Sequence, residues 1–161
     1  MNVRRMAVMA AATMLCATAF AQAPIPQYGP NVTLEQAKKM AAAGEAEARK
    51  NGWPMAISIV DTAGQLVYFQ RMDDTQTASV DIASDKAVTA AMFKRPTKAL
   101  QDAIAGGGAG LRLLTARRVT ALEGGLPIYI GGKIAGGIGV SGGTSEQDGQ
   151  VAKAGLDGLA K

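Results

Sequence analysis

The sequence predicts an α+β sandwich built around an antiparallel sheet, and three observations carry that assignment. Apolar residues repeat with helical spacing in some segments and alternate in others. The clearest alternating segments come in two pairs, each joined by a short glycine-containing turn, as in a hairpin. The order helix, hairpin, two helices, strands, helix lacks the strict βαβ alternation of a parallel sheet. At 161 residues there is chain for one domain with a buried core and no room for a second.

Residues 1–21 stand apart. Arg4 and Arg5 precede an apolar run from Met6 to Leu15, and Ala19-Phe20-Ala21 has the small-x-small form of a signal cleavage site. The run is too short to span a bilayer. Export to a bacterial periplasm or beyond is therefore expected, with a mature chain that starts at Gln22. Residues 22–32, with Pro24, Pro26 and Pro30, read as an extended arm, and residues 33–161 as a single domain.

Thr33-Leu34-Glu35-Gln36 is a capping box, and the alanine-rich helix it opens should stop at Asn51-Gly52. Met55 to Asp61 and Gln65 to Met72 alternate around Asp61-Thr62-Ala63-Gly64, a tight-turn sequence. Ser79 to Phe93 reads as a second helix, broken by Lys94-Arg95-Pro96, and Thr97 to Ala105 as a short third one. Leu126 to Ile130 and Lys133 to Val140 form a second hairpin around Gly131-Gly132, and Arg118 to Ala121 gives a weaker strand pattern. Thr144-Ser145-Glu146-Gln147 repeats the capping box before a last helix, whose first turn carries Glu146 and Asp148.

Composition excludes several chemistries. The chain has no histidine, which removes Ser-His-Asp and Cys-His catalysis and histidine-ligated zinc. Its one cysteine, Cys16, allows no internal disulfide and leaves with the signal peptide. Arg4 and Arg5 leave with it too, so the formal charge of +4 falls to about +2. The remaining basic residues are scattered without interleaved aromatics, which argues against a nucleic-acid partner. Gly137-Ile138-Gly139-Val140-Ser141-Gly142 matches a dinucleotide fingerprint literally, yet lacks the following strand and the acidic residue about 20 positions on. These glycines are expected to serve close packing and a tight strand-to-helix turn.

Longer motifs carry a more specific signal. They are Val60-Asp61-Thr62-Ala63-Gly64 leading to Arg71-Met72-Asp73, and Lys86-Ala87-Val88-Thr89-Ala90-Ala91-Met92-Phe93 followed by Arg95-Pro96-Thr97. A third set runs Gly124-Gly125-Leu126-Pro127-Ile128, then Gly136 to Gly142, then Asp148 and Val151-Ala152. Together they resemble the GlcG/HbpS family, related to the C-terminal domain of the PduO cobalamin adenosyltransferases, over nearly the whole mature chain. The resemblance implies a profilin-like α/β/α sandwich with an antiparallel sheet of about five strands. It also implies dimer-based homo-oligomers, often octamers, and haem binding. One extracellular member works beside a sensor kinase, and some relatives act on small organic acids.

Without histidine, the iron-ligand types left are Met, Tyr, Lys or a weak Thr oxygen, which points to Met72, Met92, Thr115 and Tyr129. The competing reading of the two methionines is gap-filling in the core. For Tyr129, which should face opposite Ile128 and Ile130, it is a half-buried strand position. Lys86, Thr89 and Phe93 share one helical face at i, i+3 and i+7, with Arg95 at the break. Lys86 beside an apolar wall suits a base or a carboxylate holder, and Arg71 and Arg95 suit an anionic group. The plainer alternative pairs Lys86 with a carboxylate on another element or chain. Three functions follow: an exported, oligomeric haem- or tetrapyrrole-binding protein that senses or sequesters; a small lyase or isomerase using Lys86 and Arg95 on an anionic metabolite; and a ligand-free partner of a membrane sensor.

Overall fold

The computed structural model describes residues 25–160; the expected signal peptide lies outside the described residues. The chain runs α1 (Leu34–Asn51), β1 (Ala56–Val60), β2 (Leu66–Arg71), α2 (Ser79–Phe93), α3 (Thr97–Ala105) and a 3-10 segment (Gly108–Thr115). β3 (Gly125–Ile130), β4 (Lys133–Ser141), α4 (Ser145–Asp157) and a closing 3-10 turn (Gly158–Ala160) follow. Local chemistry sets these boundaries. The Thr33 hydroxyl accepts the Gln36 N–H while the Gln36 side chain accepts the Thr33 N–H, and Gly52 ends α1 at φ 69. Thr144 and Gln147 repeat the exchange at α4. One Asp61 carboxylate oxygen accepts the N–H groups of Ala63 and Gln65, and Gly64 takes φ 77, which closes the β1–β2 hairpin.

The strands form one antiparallel sheet in the order β2-β1-β4-β3. It has four strands, which corrects the expected five. Residues 118–121 do not pair as a strand: the Thr89 hydroxyl donates to the Arg118 carbonyl and accepts the Thr120 N–H. Arg118 also sits at φ 60, outside the extended region. A helix side chain thus satisfies backbone groups that a ladder was expected to satisfy. The N-terminal arm adds a single parallel bridge, Tyr28 to Ile134, past the point where β1 ends.

Helices cover both faces, and the two faces differ in kind. On one, Ile57, Ile59, Ile128, Ile138 and Val140 meet Ala37, Met40, Ala41 and Ala48 of α1 and Val151 and Ala152 of α4, all buried. Each buried Ile or Val there contributes about 1.5–3 kcal/mol. The other face is made of small residues. Ser58, Gly139 and Gly125 stand in register across three strands, with Gly137 one step along β4. A Cβ on Gly139 would lie 2.0 Å from the Ala83 carbonyl oxygen, and one on Gly137 would lie 2.3 Å from that of Ala87. The α2 backbone therefore rests directly on Gly137 and Gly139, while Gly142 lies against the backbone of Pro54 and Met55, so close packing accounts for all three.

Candidate functional site

The site begins where α2 stops. Pro96 disfavours helix at the preceding residue, and the chain turns at Lys94, which adopts φ 54 and ψ 34. A non-glycine residue in that left-handed region costs about 1–2 kcal/mol. The Lys94 side chain offsets this strain. Its Nζ donates to the Pro26 carbonyl at 2.9 Å and stands 4.0 Å from the centroid of the Tyr28 ring, a cation–π contact. The Tyr28 hydroxyl in turn donates to the terminal α2 carbonyls of Met92 (3.1 Å) and Ala91 (3.3 Å). The arm is thereby pinned beside the end of α2.

Between arm and helix lies a cleft of about 660 Å³, lined by Ile25, Pro26, Met92, Phe93, Lys94, Arg95 and Ala99. That volume suits a small-molecule ligand. Arg95 and Ala99 also line a neighbouring cleft of about 280 Å³, walled further by Leu100, Ala103, Arg112 and Leu113. Arg95 donates through Nε to the Phe93 carbonyl at 3.2 Å. Neither Arg95 nor Arg112 has an ion-pair partner among the described residues. Leu111 and Leu114 of the 3-10 segment are exposed nearby in sequence. Apolar wall and free guanidinium groups together can receive an amphipathic anion.

Of the residues singled out from sequence, this cleft unites Met92, Phe93 and Arg95. Met92 is 39% exposed, and its sulfur faces the β1–β2 turn at Gly64. Lys86 and Thr89 do not join them. Lys86 is 1% exposed, and its Nζ donates to Asp148 Oδ2 at 2.7 Å and to the Val140 carbonyl at 2.9 Å. The other Asp148 oxygen accepts the Gly143 N–H. Burial pushes the Asp148 carboxyl above its usual value, outweighing the opposing pull of Lys86. The ion pair ties α2 to the start of α4, and Lys86 meets a carboxylate on another element rather than a substrate. Thr89 is spent on the 118–120 backbone.

The remaining residues are dispersed. Arg71 is exposed at the end of β2. Met72 packs against the α1-side core and lines a cleft of about 260 Å³ with Arg49, Gly52, Trp53 and Pro54. Thr115 is exposed and donates to the Arg112 carbonyl. Tyr129, 46% exposed beside the fully buried Ile128, lines a cleft of about 410 Å³ with Gln36, Lys39, Ile130 and Leu156. Sequence reasoning missed Arg112 and the Ile25–Pro26 wall. Nothing local marks that wall, since Pro26 meets Lys94 across 68 positions. Among the described residues no group of three or more acidic, Cys or His side chains is placed to hold a metal ion.

Known proteins share this architecture. The chain is 42% identical to the GlcG protein of Escherichia coli over 107 residues, 66% of this chain and 78% of GlcG. A crystal structure of a PduOC–haem complex superposes with a TM-score of 0.73 and 30% identity, covering 80% of this chain and 94% of that one. A double mutant of HbpS from Streptomyces reticuli gives 0.74 and 32%, covering 85% and 97%. The model of the HbpS-like family, described as haem degrading protein HbpS-like, matches residues 32–157. With that match spanning most of the sequence, the chain belongs to the HbpS-like family.

Proposed function

We propose that this protein binds haem, and that the adjacent clefts at the end of α2, which share Arg95 and Ala99, hold it. One observation carries the placement: Met92, Phe93 and Arg95, picked out from sequence for haem or anion binding, line a single cleft with Lys94. The macrocycle is apolar and bears two carboxylates; Phe93, Ile25 and Ala99 suit the first, Lys94, Arg95 and Arg112 the second. The donor set fits the periphery of the group better than its metal. No imidazole exists in the chain, and the soft donor among the residues lining the cleft is the Met92 thioether, turned towards Gly64. Bound haem supplies a redox-active iron; the chain itself binds, orients and partly desolvates it. The PduOC–haem complex and the family description support the reading.

Haemin titration tests it. A saturable Soret shift at micromolar haemin is expected, weakened about tenfold or more in Arg95→Ala/Arg112→Ala by loss of charge-assisted hydrogen bonds. Absence of a saturable shift refutes the proposal. Lys86 is buried in an ion pair with Asp148, which does not favour the lyase or isomerase reading built on it, and no second activity is advanced. Export rests on the Arg4-Arg5, apolar-run and Ala19-Phe20-Ala21 pattern, and recovery of the protein in the cytoplasmic fraction with its N-terminus intact would overturn it. Homo-oligomer formation is supported by the open edge of β2, with Leu66 62% exposed, and by exposed Leu111 and Leu114. A monomer mass at micromolar concentration in sedimentation would overturn that.

A further inference from the structure

The arm is held unevenly. From Gly29 onward it is bonded to the sheet and the hairpin: Gly29 N–H to the Ile134 carbonyl, Val32 N–H to that of Ala135, and Asn31 Oδ1 accepting from both the N–H and the hydroxyl of Thr62. The stretch before it is held differently. Gln27 and Tyr28 have one backbone bond and the Tyr28 hydroxyl contacts, whereas the inter-element hydrogen bond of Ile25–Pro26 runs to Lys94. Ile25 is 74% exposed. Thus one cation, on a residue held at φ 54, docks the segment that forms one wall of the cleft.

The partner Lys94 has is a neutral carbonyl. The Lys94–Pro26 bond is already assisted by the charge on its donor; a carboxylate in the same cleft is the stronger acceptor because it adds attraction between two opposite charges. We infer that Lys94 is the selectivity residue of this cleft, exchanging the Pro26 carbonyl for the carboxylate of an amphipathic ligand, so that ligand binding and release of residues 25–26 are one event. The inference rests on the cleft being the ligand site. It predicts a preference for free acids over esters of the same ligand, and a cleft that widens on the arm side as it fills. Lys94→Gly removes the clasp while relieving the left-handed strain, so the variant keeps the turn.

The experiment uses the full chain carrying Cys16→Ser and Ile25→Cys with a nitroxide at position 25, and two iron-free probes, protoporphyrin IX and its dimethyl ester. Probe binding is followed by porphyrin fluorescence, and haemin binding by the Soret band in parallel. Expected are a restricted label in the free protein, a mobile one at saturating protoporphyrin IX, and no release by the ester. In Lys94→Gly the label should be mobile without ligand and the acid-over-ester preference should fall about tenfold. Binding of protoporphyrin IX with an unchanged label spectrum, or an undiminished preference in Lys94→Gly, overturns the exchange and leaves the haem site standing. Failure of both haemin and protoporphyrin IX to bind overturns the haem reading itself.

Discussion

Gly139→Ala probes the packing on which the whole site is mounted. Gly139 lies mid-strand in β4, paired to Ser58 on one side and Gly125 on the other. An alanine Cβ there would stand 2.0 Å from the Ala83 carbonyl oxygen and 2.5 Å from the Ala87 nitrogen, whereas real Cβ atoms keep at least 3.0 Å. Both obstacles are backbone, so no side chain can swing aside, and α2 must lift by about 1 Å, the shortfall against that limit. Overpacking of this kind costs about 1–3 kcal/mol; with two backbone contacts and the adjacent Lys86–Asp148 pair disturbed, we expect the upper end, about 3 kcal/mol. That corresponds to roughly 10 °C in Tm for a domain of this size. Urea unfolding followed by circular dichroism measures it. Gly131→Ala is the comparison: no atom lies within 4 Å, but φ is +56, so the loss should be about 1 kcal/mol from backbone strain alone. A loss below about 1 kcal/mol for Gly139→Ala refutes the packing argument. So does unchanged stability with lost ligand affinity, which would make the glycines a ligand contact.

Three further outcomes follow from the buried polar groups. Asp148→Ala strands the Lys86 ammonium in the interior and should cost about 3–5 kcal/mol, while Lys86→Met/Asp148→Leu recovers most of that; equal losses in the two variants would show that charge is not the issue. Burial raises the Asp148 pKa, so its contribution to stability is present below the unfolded pKa and lost as pH rises through the folded one. Wild type should therefore gain on Asp148→Asn as the solution is acidified from neutrality, and a loss in denaturation midpoints would contradict the direction. The Ser58 hydroxyl is buried without a hydrogen-bond partner among the described residues, so Ser58→Ala should be neutral to stabilising by about 1 kcal/mol; a destabilised variant in the same assay would point to a hidden partner.

Much of the fold was legible because its signals are local. Thr33 with Gln36, and Thr144 with Gln147, act within a single helical turn, and the helices start where those boxes place them. Lys94-Arg95-Pro96 breaks α2 after Phe93 as read, and the Asp61–Gly64 turn fixes the first hairpin. The extra strand at Arg118–Ala121 was not legible as absent, since the competing partner is a threonine hydroxyl about 30 positions earlier. The site was half legible. Residues on one short stretch, Met92, Phe93 and Arg95, do share a cleft; Lys86, six positions before Met92, turns away into an ion pair.

The sequence by itself determined the four helices, the four paired strands and the two hairpins that join them, because caps and turns depend on neighbours a few residues apart. Tertiary structure alone decided what each charge meets. Lys86 faced either a substrate or a carboxylate, and only the fold brings Asp148 to it from 62 positions away. Lys94 was one basic residue at a helix break, and only docking of the arm gives it Pro26 and Tyr28. The physical reason is the same in both cases. The free energy of a buried or half-buried charge is set by the partners and solvent around it, and those are fixed only when distant segments pack.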